Sequence, residues 1–236
     1  VLRNGGRALI VDADHNGHVQ VIWRLLQLGA PSDVLADLDR FRLSEPVDRD
    51  DLLSAVSMAV PWRPTIAVVD SIGEVLPLLA LSSNQPDDYS TAHRLVLRPL
   101  ALAGAAVIGV DHLPKGQASQ AAGPTGTAAK TRAVGGVSLR CVAREKFTPG
   151  QGGKALLTIH KDRPGGLRGA SPVGSDGEQP AGVFSLDGSL AWEVVAPSSD
   201  DAQATFTRWD GTTSDVEMVA ALDEEDRRTV EAVRVK

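Results

Sequence analysis

Three stretches of the chain run apolar and then stop on aspartate: Ala8-Leu9-Ile10-Val11-Asp12-Ala13-Asp14, Ile66-Ala67-Val68-Val69-Asp70-Ser71 and Ala105-Ala106-Val107-Ile108-Gly109-Val110-Asp111-His112. An apolar run without alternation marks a strand covered on both faces, as in a parallel sheet between helices, and such sheets present their ligand sites at the carboxyl ends of the strands. Several carboxylates are thereby directed to one edge. Gathering negative charge there costs free energy unless a cation or a catalytic task compensates, so the pattern points to a metal-nucleotide site.

The rest of the chain fits that architecture. Strands are predicted at 7–14, 41–45, 65–70 and 105–111, alternating with helices at about 17–29, 49–60 and 87–103, which is the pattern of a doubly wound α/β sheet. Val19, Ile22, Leu25, Leu26 and Gly29 follow helical spacing, Gly29-Ala30-Pro31 ends that helix, and Asp48 is placed to cap the helix carrying Leu52, Leu53 and Val56. Beyond residue 137 the strands become shorter and alternating, at 137–144, 154–162, 181–186 and 190–195, with glycine- and proline-rich turns such as Thr148-Pro149-Gly150-Gln151-Gly152-Gly153 between them. They predict an antiparallel C-terminal extension of the sheet. The expected organisation is one core over 1–196 and an acidic linker or tail over 197–236, in which Asp223 to Val235 starts a helical segment.

The net charge of -6 is unevenly divided. From Asp200 to Lys236 there are ten acidic and five basic residues, whereas from His112 to Arg168 ten Lys or Arg face only Glu145 and Asp162. The basic stretch suits a polyanion or a phosphate, and Lys115, Lys130 and Arg132 within it are candidate nucleic-acid contacts. Aromatic residues are only 4% of the chain, so backbone contacts to DNA, sensitive to salt, are expected in place of base stacking. No signal peptide or membrane-length apolar run is present, and a soluble cytoplasmic protein is the expectation. The single Cys141 lies in a strand-like stretch and reads as a small buried residue.

The residues that could carry chemistry cluster at the strand ends. Asp70 closes an apolar strand and precedes Ser71, the position of a carboxylate that holds the water shell of Mg²⁺. His112, just after the next strand, could donate to a terminal phosphate or merely satisfy a loop carbonyl. Lys161 and Arg163 lie two apart on an extended stretch and could present two cations to a phosphate, arginine with a planar fork of donors.

Taken together, strand-Asp70-Ser71, strand-Asp111-His112-Leu113, Gly126-Thr127-Ala128-Ala129-Lys130 opening a helix, and Lys161-x-Arg163-x-Gly165 resemble, in order and spacing, the RecA-like P-loop ATPases of the hexameric replicative helicase group. The likeness is to the RepA-like and DnaB-like branch, including AAA-type ATPases of plasmids, phages and actinobacterial mobile elements, and it spans roughly residues 5 to 170. The resemblance implies an ATP-hydrolysing enzyme that uses Mg²⁺, acts on DNA and assembles as a homo-oligomer, a hexameric ring. It makes Asp70 the Walker B magnesium carboxylate, with Ser71 beside it in the nucleotide site, and His112 the γ-phosphate sensor. Lys161 and Arg163 become fingers to the neighbouring subunit's nucleotide, and Asp14 stands where the family carries the glutamate that activates water, with Asp12 as the other candidate.

The sequence departs from the family in one respect. No G-x-x-x-x-G-K-[ST] occurs, and the nearest approach, Gly123-Pro124-Thr125-Gly126-Thr127-Ala128-Ala129-Lys130-Thr131, has proline and alanine in the wrong places. The expectation is that the first strand and Walker A segment precede Val1, and that this chain by itself binds ATP weakly and is inactive. Two other readings compete: a non-catalytic RecA-like module that binds DNA or a partner, and a metal-dependent hydrolase using Asp12, Asp14, His15 and His18.

Overall fold

In the computed structural model the described residues are 1–112, 128–148, 150–173, 179–189 and 192–195. They form two compact units, one within Val1–Ala133 and one within Val134–Thr213.

The first unit is built on the aspartate-tipped runs. Strands β1 (Ala8–Asp12), β2 (Phe41–Ser44), β3 (Ile66–Asp70) and β4 (Ala106–Gly109) make a wholly parallel sheet in the order β2-β1-β3-β4. Strands β1 and β3 are central, and their register sets Val11 against Val69 and Asp12 against Asp70. Both valines are fully buried, as the unbroken apolar runs require. β4 differs. It is the edge strand of this sheet, and Ile108 is 48% exposed.

Helices flank the sheet where the apolar spacing places them. α1 (His18–Gln27) buries Val19 and Ile22, and Gly29, at a φ of 81°, turns the chain just beyond it. A short α2 (Ser32–Ala36), which the sequence reading did not include, buries Leu35 before β2. α3 (Arg49–Trp62) starts at Asp48, whose carboxylate accepts the Asp51 backbone N–H, the capping bond expected from sequence. α4 (Ile72–Leu78), also beyond the sequence reading, begins immediately after β3 and buries Ile72, Val75 and Leu76. The helix expected over 87–103 is present but interrupted: α5 (Pro86–Ala92) and α6 (Arg98–Leu102) are joined by a π-helical turn, His93–Leu97. Val96 and Leu100 from this run reach the same core as Leu9, Val69 and Leu52. Finally α7 (Ala128–Ala133) packs on α5 and places Ala129 in the core.

The second unit is the antiparallel sheet expected from the change in sequence style. β5 (Val137–Thr148), β6 (Gly152–Asp162), β7 (Pro180–Asp187) and β8 (Trp192–Val195) pair in chain order, and α8 (Gly166–Ala170) follows β6. Among the described residues these strands pair with one another and not with the parallel set. The β5–β6 hairpin depends on glycine: Gly152 has a φ of 93°, and a Cβ there would collide with the Leu186 carbonyl. Cys141 corrects an expectation. It is exposed on the edge strand β5, because alternation turns it to a face that no element of this unit covers, and partial burial still pushes its thiol pKa up. Among the described residues no helix is long and apolar enough to cross a membrane.

Two substitutions test this packing by urea denaturation. Leu52→Ala, at a fully buried site, is expected to cost about 2–5 kcal/mol of folding free energy. Asp48→Ala should cost about 1 kcal/mol through loss of the α3 cap.

Candidate functional site

The parallel register forces a problem at the carboxyl edge. Asp12 and Asp70 end adjacent strands at the same level, and Asp14 and Asp111 follow close behind. Each carboxylate meets a different fate. Asp12, only 1% exposed, spends both oxygens on Asn16, accepting its backbone N–H and its side-chain amide, each at 2.8 Å. These bonds shape the turn after β1.

Backbone bonds carry Asp14 to Asp70. The N–H groups of Ala13 and Asp14 both donate to the Asp70 carbonyl, so the chain leaving β1 is stitched to the end of β3. On the other side the Ile72 N–H donates to the Val110 carbonyl at 2.8 Å, and the Val110 N–H donates to Val69, which brings the chain after β4 to the same place. The result is a cluster in which one ligand atom each from Asp14, Asp70 and His112 lies within 4.8 Å of the others. Among the described residues this is the grouping of such side chains that could hold a metal ion.

Asp14 is held from both sides. Its Oδ1 accepts the Ser71 hydroxyl at 2.6 Å and its Oδ2 lies 2.9 Å from His112 Nε2. Ser71 is fully buried at the N-cap of α4, yet its hydroxyl makes no capping bond there. A serine at that position ordinarily caps its own helix, so its use on Asp14 marks the site. The peptide bond between Asp70 and Ser71 is cis.

Electrostatics separate the two acids. Burial alone would raise the Asp14 pKa, but hydrogen bonds from Ser71 and His112 and the imidazolium charge outweigh it and hold the carboxyl below its ordinary value. Asp70 goes the other way: burial, then the negative charges of Asp14 and Asp12, push it up. The charges of His112 and Arg24 pull the other way without outweighing these causes, no hydrogen bond or ion pair among the described residues satisfies the carboxylate, and a cation beside it would offset the balance. His112 is raised, chiefly by its hydrogen bond to Asp14, against burial and with help from the charges of Asp14, Asp70 and Asp111.

The remaining sequence candidates are scattered. His18 lies 3.7 Å from Glu45, and His15 lines a cleft of about 510 Å³ with Arg49 and Glu74. With Asp12 committed to Asn16, the set Asp12, Asp14, His15 and His18 is not brought to one point. Lys130 is 6% exposed and pairs with Asp111 at 2.8 Å, while Arg132 is exposed on the same short helix. Lys115 lies outside the described residues. Lys161, the last residue but one of β6, donates from Nζ to the Val134 carbonyl at 2.8 Å; its pKa is pushed down by burial and then by the Arg163 charge. Arg163 stands one residue past the strand, where its backbone N–H donates to the Gly136 carbonyl. Sequence reasoning missed Asn16, although an Asp with an Asn four residues on, just past a strand, is a local hydrogen-bonding pattern that could have shown it.

No protein-family model and no curated protein matches the sequence. Among solved structures, a KaiC-like protein from the hyperthermophilic archaeon Pyrococcus horikoshii OT3 aligns with a TM-score of 0.50, covering 82% of this chain and 78% of that one, at 11% identity. The fold is RecA-like. This agrees with the architecture expected from the order of the motifs; the likeness is one of fold.

Two measurements follow from the charges. Asp70→Asn removes a repelled carboxylate and is expected to raise the Tm by about 1–3 °C. The Asp14–His112 contact is pH-dependent with a definite sign. His112, whose pKa is raised on folding, contributes fully below its unfolded value of about 6.5 and loses that contribution as pH rises through the folded value. Asp14, lowered on folding, contributes above about pH 4 and loses it as pH falls. The stability difference between wild type and His112→Gln should therefore be largest between about pH 4 and 6.5, at about 0.5 kcal/mol for so exposed a pair, and shrink as pH rises through the raised folded-state value of His112.

Proposed function

We propose that this chain is the catalytic core of a RecA-like ATPase, a motor of DNA replication or of a mobile element that works as a ring-shaped homo-oligomer, a hexamer. The observation that carries the reading is the meeting of Asp14, Asp70 and His112 at one sheet edge, from three strands distant in sequence.

The residues fit a magnesium-nucleotide. Asp70 is a half-buried carboxylate without a donor of its own, raised in pKa by burial and by neighbouring negative charge, and Asp14 adds a second hard oxygen ligand nearby. When bound, Mg²⁺ would supply positive charge that offsets the charge on the transferred phosphoryl group. Asp70 would hold it through water. Asp14, ionised at neutral pH and a weak base, suits the orientation of an attacking water better than its deprotonation, and a loose phosphoryl-transfer transition state asks for little more. His112, protonated more readily than a free imidazole, would donate to the terminal phosphate and so report its presence to Asp14. Lys161 and Arg163 would act on the nucleotide of the next subunit, where a guanidinium offsets transition-state charge. Lys115 and Arg132 would meet the backbone of single-stranded DNA.

The test is ATP turnover by the intact protein. Asp70→Ala is expected to lower kcat by at least about a hundredfold and Arg163→Ala by about a thousandfold. Mixing these two inactive variants should restore turnover, because subunits with an intact Arg163 then sit beside subunits with an intact Asp70. Absence of rescue at every ratio would overturn the finger acting between subunits. Absence of turnover in the wild type would favour the non-catalytic module.

A further inference from the structure

Of the side chains that converge on the carboxyl edge, His112 is the one packing cannot hold: its side chain is 66% exposed. Its contact with Asp14 at 2.9 Å therefore depends on where its backbone lies. That backbone is held by Asp111, whose Oδ1 accepts the His112 N–H at 3.1 Å. The other oxygen of the same carboxylate accepts Lys130 Nζ at 2.8 Å, in a pair whose side chains are only 7% and 18% exposed. Lys130 projects from α7, which is anchored by Ala129 in the core and packs on α5. A continuous polar chain thus runs from a buried lysine on a packed helix, through Asp111 and His112, to Asp14 and Ser71.

We propose that Lys130 is a positioning residue: by fixing the Asp111 carboxylate it fixes the backbone of His112 and keeps the imidazole on Asp14. This replaces the reading of Lys130 as a DNA contact, since a buried ammonium already paired at 2.8 Å has no charge to offer a phosphate. The consequence for catalysis rests on the ATPase reading; the consequence for His112 does not. A buried ion pair is sensitive to loss of one partner and tolerant of replacement of both by apolar groups, and this shapes the test.

The first readout needs no turnover. The rate at which diethyl pyrocarbonate modifies His112, followed by peptide mass spectrometry, reports how well Asp14 shields Nε2. Lys130→Met is expected to raise that rate about three- to tenfold, to the rate seen in Asp14→Asn, with exposed His15 and His160 unchanged as internal standards. Lys130→Arg, which keeps the charge, should restore most of the protection. Should Lys130→Met fail to fold, the double variant Lys130→Met/Asp111→Leu removes the same hold while filling the space with apolar groups, and it must show the same faster labelling. An unchanged His112 rate in the folded variant, with Asp14→Asn raising it, would overturn the proposal. A smaller salt dependence of single-stranded DNA binding in Lys130→Met, with labelling unchanged, would return the residue to the DNA surface.

The second readout is ATP turnover of the intact protein, where Lys130→Met should lower kcat about tenfold with KM for ATP nearly unchanged. If labelling rises and kcat does not fall, the catalytic part of the proposal is wrong. If the wild type does not hydrolyse ATP, the ATPase reading fails and the labelling alone decides the positioning role.

Discussion

Repulsion between carboxylates at the carboxyl edge of the parallel sheet is the constraint around which the site is organised. Asp12 and Asp70 end neighbouring strands in register, and Asp14 and Asp111 lie beside them. In a partly buried place like charges repel far more strongly than in water. Each acid except one is compensated locally: Asp12 by Asn16, Asp14 by Ser71 and His112, Asp111 by Lys130 and the His112 backbone. Asp70 is the exception: it has no hydrogen-bond donor among the described residues, and the charges of His112 and Arg24 leave its pKa raised. An acid left uncompensated among compensated ones is where a cation gains most, so the fold concentrates its electrostatic cost at the place proposed to bind magnesium.

The same constraint explains why the surrounding loops are tied down by backbone bonds. Ala13 and Asp14 donate to the Asp70 carbonyl, and Ile72 donates to Val110, so the segments after β1, β3 and β4 are fixed to one another before any side chain is considered. Ser71 then gives up a capping role to hold Asp14. Stability and function are in tension here: the charge that would make Asp70 useful is the charge the folded chain would be more stable without.

Much of the architecture was legible in sequence because the relevant signals are local. Unbroken apolar runs announced β1 and β3, helical spacing announced α1 and α3, and Asp48 announced its cap. Where local signals misled, a tertiary cause is identifiable. β4 has the same apolar run yet lies at the edge of its sheet, with Ile108 exposed. Cys141 has the size and setting of a core residue, but the alternation of β5 turns it outward. Two short helices, α2 and α4, and the π-helical turn at His93–Leu97 have too few residues for periodicity to reveal.

The sequence by itself determined that aspartates would end buried strands, and hence that acid groups would gather at a single edge, because strand burial and chain direction are written in residue order. It could not determine which acid would be left without a partner. That was decided by contacts across 57 residues between Asp14 and Ser71, 98 between Asp14 and His112, and 19 between Asp111 and Lys130. Hydrogen bonds of this kind depend on the register of strands and the seating of helices, which no local pattern encodes. A lysine that reads as one of a basic run became, once α7 was seated, a buried counter-ion; only the folded chain distinguishes the two.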